Sequence, residues 1–301
     1  MKRLLIVYNP HSSQYVHVRD EILAKATKLK GRLVGKFAIE KEPFESNVKR
    51  LGRVLRNGDF VLAAGGDATA AVCANAILNS DKDITLAVLP YGNFNDLART
   101  LGTKTMEDVL QDSLVKKLYP LDIIVDGKHW RYATCYVTIG MTAESVVIFD
   151  DPKIRKKMQQ GHKSSWRSYL QLVDWYFKNR HKKQFIPEFK LNGKLQSTKI
   201  SDYAALSGRS MCRVMKGRED YLKPITFRSE VLQTVSFPKL FVLMARSILH
   251  RVPGSDTKGD ILEFTKPSTI SLQAEGEYAT FHNVRKIEVK KPTKFIKVVQ
   301  N

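Results

Sequence analysis

The sequence predicts an α/β domain with a parallel sheet, followed by a second domain made mostly of β-strands. Over roughly the first 120 residues, short apolar runs alternate with stretches of helical periodicity, which is typical of βαβ units. Near residue 122 the pattern changes to short strand-like runs separated by turns. The length of 301 residues suits one large domain or two ordinary ones. We therefore expect domains at 1–122 and 123–301, with the last residues, about 285–301, able to pack back on the first domain.

The elements expected in the first domain alternate in type. Val48, Leu51 and Leu55 recur at helical spacing, whereas the run Phe60-Val61-Leu62-Ala63-Ala64 is short and wholly apolar, as in a buried strand. Strands are expected at 3–8, 33–39, 60–64 and 85–89. Helices are expected at 16–30, 45–57, 69–79, 94–101 and 105–112.

The second region is expected to contain mainly strands and turns. Asn192-Gly193 is a hairpin signal, and Asp126-Gly127 is a turn between two strands. An amphipathic helix is expected at 164–181, and a second one with basic ends at 237–251 either lies on a membrane surface or covers the β domain. Strands are expected at 121–126, 131–139, 185–190, 194–206, 225–235, 261–264, 269–273 and 278–281.

The charge is strongly basic and unevenly distributed. The chain has 50 Lys and Arg against 30 Asp and Glu, a formal charge of +20. Residues 1–122 hold 18 basic and 14 acidic side chains, whereas residues 123–301 hold 32 and 16. This excess indicates a polyanionic partner for the second region, either nucleic acid, an anionic membrane or a phosphate-bearing ligand.

Composition excludes several classes of protein. The 43% of hydrophobic residues is globular and argues against disorder, and no apolar run is long enough to span a membrane. The three cysteines lack zinc-binding spacing, and their odd number suits a reducing compartment. We therefore expect a cytoplasmic protein.

A glycine-rich turn follows the buried strand at 60–64. The segment Gly65-Gly66-Asp67-Ala68-Thr69 places two glycines where the backbone can approach a phosphate, just before a helix N-terminus that favours anions. Asp67 beside such phosphates is a candidate ligand of Mg²⁺. The alternative is a simple turn in which Asp67 lies near the N-cap of the helix.

A second polar glycine loop follows the next strand. It contains Gly92, Asn93, Asn95 and Asp96, and Asp96 can cap the following helix and pair with Arg99. In open α/β sheets, ligands bind outside the carboxyl ends of the strands. Two such loops at successive strand ends favour a binding site over two unrelated turns.

Two carboxylates flank a glycine between strand-like runs late in the chain. Glu275-Gly276-Glu277 suits a general base or a metal ligand. Taken alone, this triplet is more typical of a surface hairpin turn.

In order and spacing, these motifs resemble the diacylglycerol kinase catalytic domain family, which includes bacterial soluble lipid kinases, sphingosine kinases and ceramide kinases. The family pattern of NP, GGDGT, PxGTxND-x-AR and DGE reads here as Asn9-Pro10, GGDAT at 65–69, PYGNFNDLAR at 90–99 and EGE at 275–277. The stretch 139–144 is similar to the family's GxGfDAE segment.

The resemblance implies a Rossmann-like nucleotide-binding domain of the NAD-kinase and diacylglycerol-kinase type, a sandwich-like lipid-binding domain, and a cleft between them. It further implies ATP and Mg²⁺ as cofactors. Glu277 matches the proton acceptor, with Glu275 beside it as a further catalytic residue, and Asp67 would serve catalysis and hold the magnesium. The implied nucleotide-binding residues are Asn9, Gly65, Gly66, Asp67, Ala68, Thr69, Gly92, Asn93, Asn95 and Asp96.

The sequence departs from the family pattern at several positions. Ala68 replaces a glycine, which costs about 1 kcal/mol if the backbone there requires positive φ. Glu275 replaces an aspartate, and Asn93 replaces a threonine. Arg228 stands about where an acid of the family's structural metal site is expected, which argues against that site but leaves it open.

The sequence therefore predicts an ATP-dependent lipid kinase that acts on diacylglycerol or a related lipid and associates peripherally with an anionic membrane. One alternative is an NAD-kinase-like enzyme with a soluble acceptor. Another is a catalytically weak basic module that binds lipid or nucleic acid, although no nucleic-acid-binding motif is present. The acceptor lipid and a homodimeric state are left open.

Overall fold

A computed structural model describes most of the chain. The described residues are 3–10, 34–92, 94–106, 109, 114–146, 148, 165–179, 185–196, 200–212, 215–217, 225–233, 238, 241–242, 245–246, 249–250 and 254–300. The helix expected at 16–30 lies outside them, as do most residues of the helices expected at 105–112 and 237–251.

The first sheet, sheet A, has six strands in the order β2-β1-β3-β4-β18-β5. All neighbouring pairs are parallel except β18 with β5. The strands are β1 Leu4–Tyr8, β2 Val34–Ala38, β3 Phe60–Gly65, β4 Thr85–Pro90, β5 Leu114–Leu118 and β18 Ile296–Gln300. Its helices are α1 Phe44–Val54, α2 Asp67–Ser80 and α3 Asp96–Leu101.

The second sheet, sheet B, has ten strands, and every pair described within it is antiparallel. Its main path is β15-β14-β11-β8-β16-β17-β6-β7, with β9 paired to β16 and β10 to β9. The strands are β6 Leu121–Val125, β7 Lys128–Ala133, β8 Tyr136–Gly140, β9 Phe189–Leu191, β10 Lys194–Leu195, β11 Ile200–Leu206, β14 Phe227–Gln233, β15 Ser255–Thr257, β16 Gly259–Ala274 and β17 Glu277–Lys290.

The remaining elements are short or peripheral. A separate two-stranded sheet is formed by β12 Ser210–Met211 and β13 Met215–Lys216, and the helices are α4 Met141–Ser145 and α5 Ser165–Asn179. Among the described residues, no helix combines the length and the hydrophobicity needed to cross a membrane.

The predicted fold class is confirmed, because an α/β sheet with parallel strands is joined to a separate antiparallel sheet. The chain enters sheet B at β6 and returns to sheet A at β18, which lies between β4 and β5. The division of the chain at residue 122 stays a prediction.

Several predicted strand limits are wrong. The run expected at 131–139 is two strands with a break at Thr134 and Cys135. The separate strands expected at 261–264, 269–273 and 278–281 belong to one long hairpin, β16–β17. The strand expected at 194–206 is divided into β10 and β11, and the one at 185–190 is reduced to β9 and a single bridge at Ile186. The limits of a strand are set by its pairing with neighbouring strands, and the local pattern of apolar residues does not contain that information.

Helix α2 connects the two sheets. Its residues from Thr69 to Leu78 are all buried, because sheet A and α1 cover one side and β7 the other. Asn75 has an amide that pairs with the edge of β7: its Nδ2 donates to the Tyr132 carbonyl at 2.9 Å, and its Oδ1 accepts from the Tyr132 N–H at 2.8 Å. This side chain therefore continues the edge strand of sheet B as a further strand would.

We expect Asn75→Ala to lower the free energy of unfolding by about 2–3 kcal/mol, since it leaves a buried N–H and a buried carbonyl of β7 without partners. Denaturant unfolding measures the change. The matched control is Asn79→Ala on the same helix, where the side chain is exposed. Equal stability of the two variants would contradict a structural role for the Asn75 pairing.

Candidate active site

The carboxyl ends of β1, β3 and β4 meet at one edge of sheet A. Tyr8 is paired with Ala64, and Gly65 is paired with Pro90. Asn9 follows β1 at this edge. The structure therefore brings together the segments that the sequence analysis proposed as a binding site, in the position where open α/β sheets bind ligands.

The two glycine loops at this edge pack directly on each other. A Cβ atom on Gly92 would lie 2.3 Å from the Cα of Gly66, a distance that real Cβ atoms do not show. A Cβ on Gly65 would lie 2.3 Å from the Thr69 hydroxyl. In the described structure, the glycines are thus required by close contact between the loops and with α2.

Asp67 joins the two loops through its carboxylate. Its Oδ2 accepts the N–H of Asn95 at 2.8 Å, and its Oδ1 accepts the N–H of Asp96 at 2.6 Å. Asn95 in turn closes its own loop, since its amide donates to the Gly92 carbonyl and accepts from the Gly92 N–H. Asp67 and Asn95 together fix the shape of the strand-end edge.

Asp96 is buried in the site but is not the helix cap that the sequence suggested. The N-cap of α3 is Asn95, which has the left-handed backbone conformation with φ of 56°. Asp96 is the first helical residue, and its Oδ1 accepts the Ser210 hydroxyl at 2.7 Å. Ser210 lies on β12, so a strand far along the chain holds this carboxylate in place.

The first turn of α2 offers donors that face the same edge. Thr69 is 1% exposed, and its Oγ1 has no hydrogen-bond partner in the described structure. The first amides of any helix also lack partners within the helix and attract anions. Ala68 is helical, so the alanine in place of the family's glycine causes no backbone strain. A phosphate group fits this set of donors.

The Glu275-Gly276-Glu277 turn approaches this edge from sheet B. Glu275 and Gly276 have φ of 53° and 89° and form the tight turn between β16 and β17. Glu275 is 4% exposed, so it is not part of an ordinary surface hairpin. Its carboxylate accepts the Thr134 hydroxyl and the Cys135 N–H at the break between β7 and β8.

The buried carboxylates are close enough to affect one another. Burial, together with the charges of Asp96 and Glu275, raises the pKa of Asp67 to about 8. Burial raises the pKa of Glu275 to about 7, although its bonds to Thr134 and Cys135 oppose the shift. Residues from both sheets therefore form one acidic cluster.

Glu277 begins β17 and is partly exposed. It lies within electrostatic reach of Arg131 on β7, and its charge raises the Arg131 pKa against the lowering caused by burial. Glu277 is thus the more accessible of the two turn carboxylates, and it lies near a cationic side chain.

One proposed residue and the metal site remain to be placed. Asn93 lies outside the described residues. Among the described residues, no three His, Cys, Asp or Glu side chains are arranged to hold a metal ion. Asp67 nevertheless fits Mg²⁺ as this ion is usually bound with nucleotides, by one or two carboxylates together with phosphate oxygens.

Sequence reasoning missed the residues that support the site. Thr134 and Cys135 lie in a run that reads as continuous strand, and Ser210 carries no motif. Asp202 on β11 was also missed; it is 2% exposed and contacts the hydroxyl and N–H of Thr142 at the start of α4. An acidic residue within a buried apolar run, as in Ile200–Leu206, is the one local signal that identifies it.

Asp202 is expected to make stability fall as the pH rises. Burial raises its pKa to about 8, so between about pH 4 and pH 8 the folded protein keeps a proton that the unfolded chain has lost. In the wild type, this difference lowers the free energy of unfolding by up to about 1.4 kcal/mol for each pH unit of increase, and Asp202→Asn should remove this dependence. In thermal unfolding from pH 5 to 8.5, the melting temperature of the variant should rise relative to that of the wild type as the pH rises. A constant difference between the two melting temperatures would contradict this.

The fold joins an α/β sheet with mostly parallel strands to a separate antiparallel β sheet. In structure, it is similar over its whole length to a putative diacylglycerol kinase from Bacillus anthracis str. Sterne, with a TM-score of 0.69, 15% identity and 97% of that chain covered.

In sequence, residues 3–125 match the family model of the diacylglycerol kinase catalytic domain. The chain is 32% identical over 136 residues to a diacylglycerol kinase of Bacillus subtilis (strain 168), and 29% identical over 132 residues to one of Staphylococcus saprophyticus. Each match covers 43% of this chain. The matched part is 44% of the length of the Bacillus subtilis protein and 39% of the length of the Staphylococcus saprophyticus protein. Residues 3–125 are therefore similar to the diacylglycerol kinase catalytic domain, which confirms the resemblance seen in the sequence.

Proposed function

We propose that this protein is an ATP-dependent kinase that phosphorylates a hydroxyl group of diacylglycerol or a related lipid. The observation that carries the proposal is the meeting of two glycine loops of sheet A with the Glu275-Gly276-Glu277 turn of sheet B in one cluster. Phosphoryl transfer requires held phosphates, an oriented acceptor and a base, and each sheet supplies part of this set.

The residues of sheet A bind and orient the nucleotide. The first amides of α2 and the Thr69 hydroxyl are donors for phosphate oxygens, and Asp67 is the residue that would hold the magnesium ion. When bound, Mg²⁺ neutralises the charge on the phosphates. Asn95 keeps the second loop in position through Gly92.

The residues of sheet B act on the acceptor. Glu277 accepts the proton of the lipid hydroxyl at its carboxylate oxygen, because it is the partly exposed carboxylate of the turn. Glu275 holds the turn to the β7–β8 break through Thr134 and Cys135. Its buried carboxylate positions Glu277 two residues away.

An anionic membrane is the proposed counterpart of the basic charge. Residues 123–301 carry the larger basic excess, and Phe241 and Val242 are 64% and 65% exposed. A peripheral enzyme would reach its lipid at the membrane surface. Each basic residue near an anionic surface contributes about 1 kcal/mol to the free energy of membrane binding.

The test is an assay with labelled ATP and Mg²⁺ against mixed micelles of diacylglycerol, sphingosine and ceramide, with NAD as a soluble acceptor. The proposal expects label in a lipid product. Label in NAD with unlabelled lipids would favour the soluble-acceptor enzyme, and tight vesicle binding without any transfer would favour a binding module.

A further inference from the structure

A cleft of about 480 Å³ lies between α1, α2 and β7. Its lining includes four basic residues, Lys49, Arg53, Lys82 and Arg131, and two aromatic ones, Phe44 and Trp130. On α2 the cleft begins at Asn75. The strand-end site uses the first turn of this helix, so the cleft begins eight residues further along, about 12 Å at the helical rise. The cleft is therefore separate from the candidate active site.

The charge of the cleft is unbalanced. Lys49 and Arg53 are exposed, and the structure describes no ion pair for either among the residues it covers. Arg50, on a different face of the same helix, does pair with Glu40. The single acidic residue among those lining the cleft is Glu45, which pairs with Arg131 at 2.6 Å. Lys49 and Arg53 thus remain as an uncompensated cationic rim, whereas the Lys82 ammonium group donates to the Gly52 and Leu55 carbonyls.

Arg131 lies at the inner end of the cleft and is only 5% exposed. Its guanidinium group is stacked on two rings, 4.1 Å from the centre of Phe44 and 4.0 Å from that of Trp130. Its Nη2 bonds Glu45, whereas its Nε and Nη1 are buried without a hydrogen-bond partner in the described structure. Both atoms are shielded from solvent, so Arg131 contributes its positive charge to the inner end of the cleft and not a direct hydrogen bond to a ligand.

We propose that this cleft binds a phosphate monoester. Several cations converge on one opening, which suits a dianion with three acceptor oxygens. The volume exceeds that of a free phosphate, and the apolar surfaces of Phe44, Val48, Ala76 and Trp130 suit the organic part of an ester. The source is either a water-soluble ester or the headgroup of a lipid.

Ligand binding here would join the two sheets. The walls α1 and α2 belong to sheet A, and Trp130 and Arg131 belong to sheet B. Arg131 also interacts electrostatically with Glu277, so an anion bound near its guanidinium group changes the electrostatic potential next to the turn. The cleft is thereby suited to regulate the site through Arg131.

The experiment is calorimetric titration of the full chain without nucleotide or acceptor, which keeps it independent of the proposed kinase activity. The probes are glycerol 3-phosphate and, below its micelle concentration, dihexanoyl phosphatidic acid; glycerol is the control without phosphate. Binding of glycerol 3-phosphate, or binding of the phosphatidic acid that depends on Lys49 and Arg53, supports the proposal, and a preference between the two probes identifies the source. Binding of neither overturns it.

Variants locate the bound probe. Lys49→Glu with Arg53→Glu should weaken binding by about tenfold or more, whereas Arg56→Glu, an exposed charge reversal just after α1, should not. Because Lys49 and Arg53 are both exposed, the double variant should fold normally, and circular dichroism checks this. Thr69→Val, at the strand-end site, should leave this affinity unchanged. Equal affinity of the double variant and the wild type, or loss of binding in Thr69→Val, would overturn the assignment to the cleft.

Discussion

Glu277→Gln is expected to slow phosphoryl transfer to lipid by about 10²–10⁴-fold, the usual contribution of a general base, while nucleotide affinity stays unchanged. Glutamine has nearly the same shape as glutamate but cannot accept the proton of the acceptor hydroxyl. The nucleotide is expected to contact sheet A, and Glu277 lies on sheet B, so binding and transfer should separate in this variant.

The measurement compares kcat with lipid against the dissociation constant of the nucleotide determined by calorimetry. The matched control is Glu288→Gln, because Glu288 is on the same strand and pairs with Lys286 at 2.9 Å, remote from the turn. A near-normal kcat in Glu277→Gln would remove Glu277 from the role of base. An equal loss in both variants would point to a general effect on β17.

The parallel sheet and its loops could be predicted because their signals are local. The apolar run at 60–64 and the glycines that follow it define a buried strand and a tight turn without reference to the rest of the chain. The same locality explains why Asn95 and Gly92, three residues apart, were found together as one polar loop.

The supporting contacts could not be predicted, because they join residues that are far apart in sequence. Glu275 and Thr134 are 141 positions apart, and Asp96 and Ser210 are 114 apart. Neither Thr134 nor Ser210 belongs to a pattern with a chemical meaning of its own. Only the pairing of β8 with β16, and the folding of β12 towards α3, bring these partners together.

The structure also changes the meaning of one residue that the sequence singled out. Ala68 was expected to cost about 1 kcal/mol if its backbone required positive φ. It lies instead in the first turn of α2, where alanine is the most favourable residue. The departure from the glycine of the family pattern is therefore compatible with an intact loop.

Asp67→Asn is expected to abolish measurable transfer and also to destabilise the strand-end edge. The carboxylate accepts two backbone N–H groups, one on each oxygen. An asparagine can accept only one of them, and its NH₂ group would face the other donor, which costs about 1–3 kcal/mol. The same substitution removes the charge that would hold Mg²⁺ beside the phosphates.

These two effects are separable by measurement. Urea unfolding without nucleotide reports the lost hydrogen bond, and Mg²⁺-dependent nucleotide binding reports the lost charge. Asp81→Asn is the control, because Asp81 is exposed at the far end of α2 and asparagine also tolerates its left-handed backbone. If Asp67→Asn were as stable as wild type, Asp67 would not be the link between the loops. If it kept Mg²⁺-dependent binding, the metal would have to be held elsewhere, and the strand-end edge would serve the nucleotide through Thr69 and the α2 amides alone.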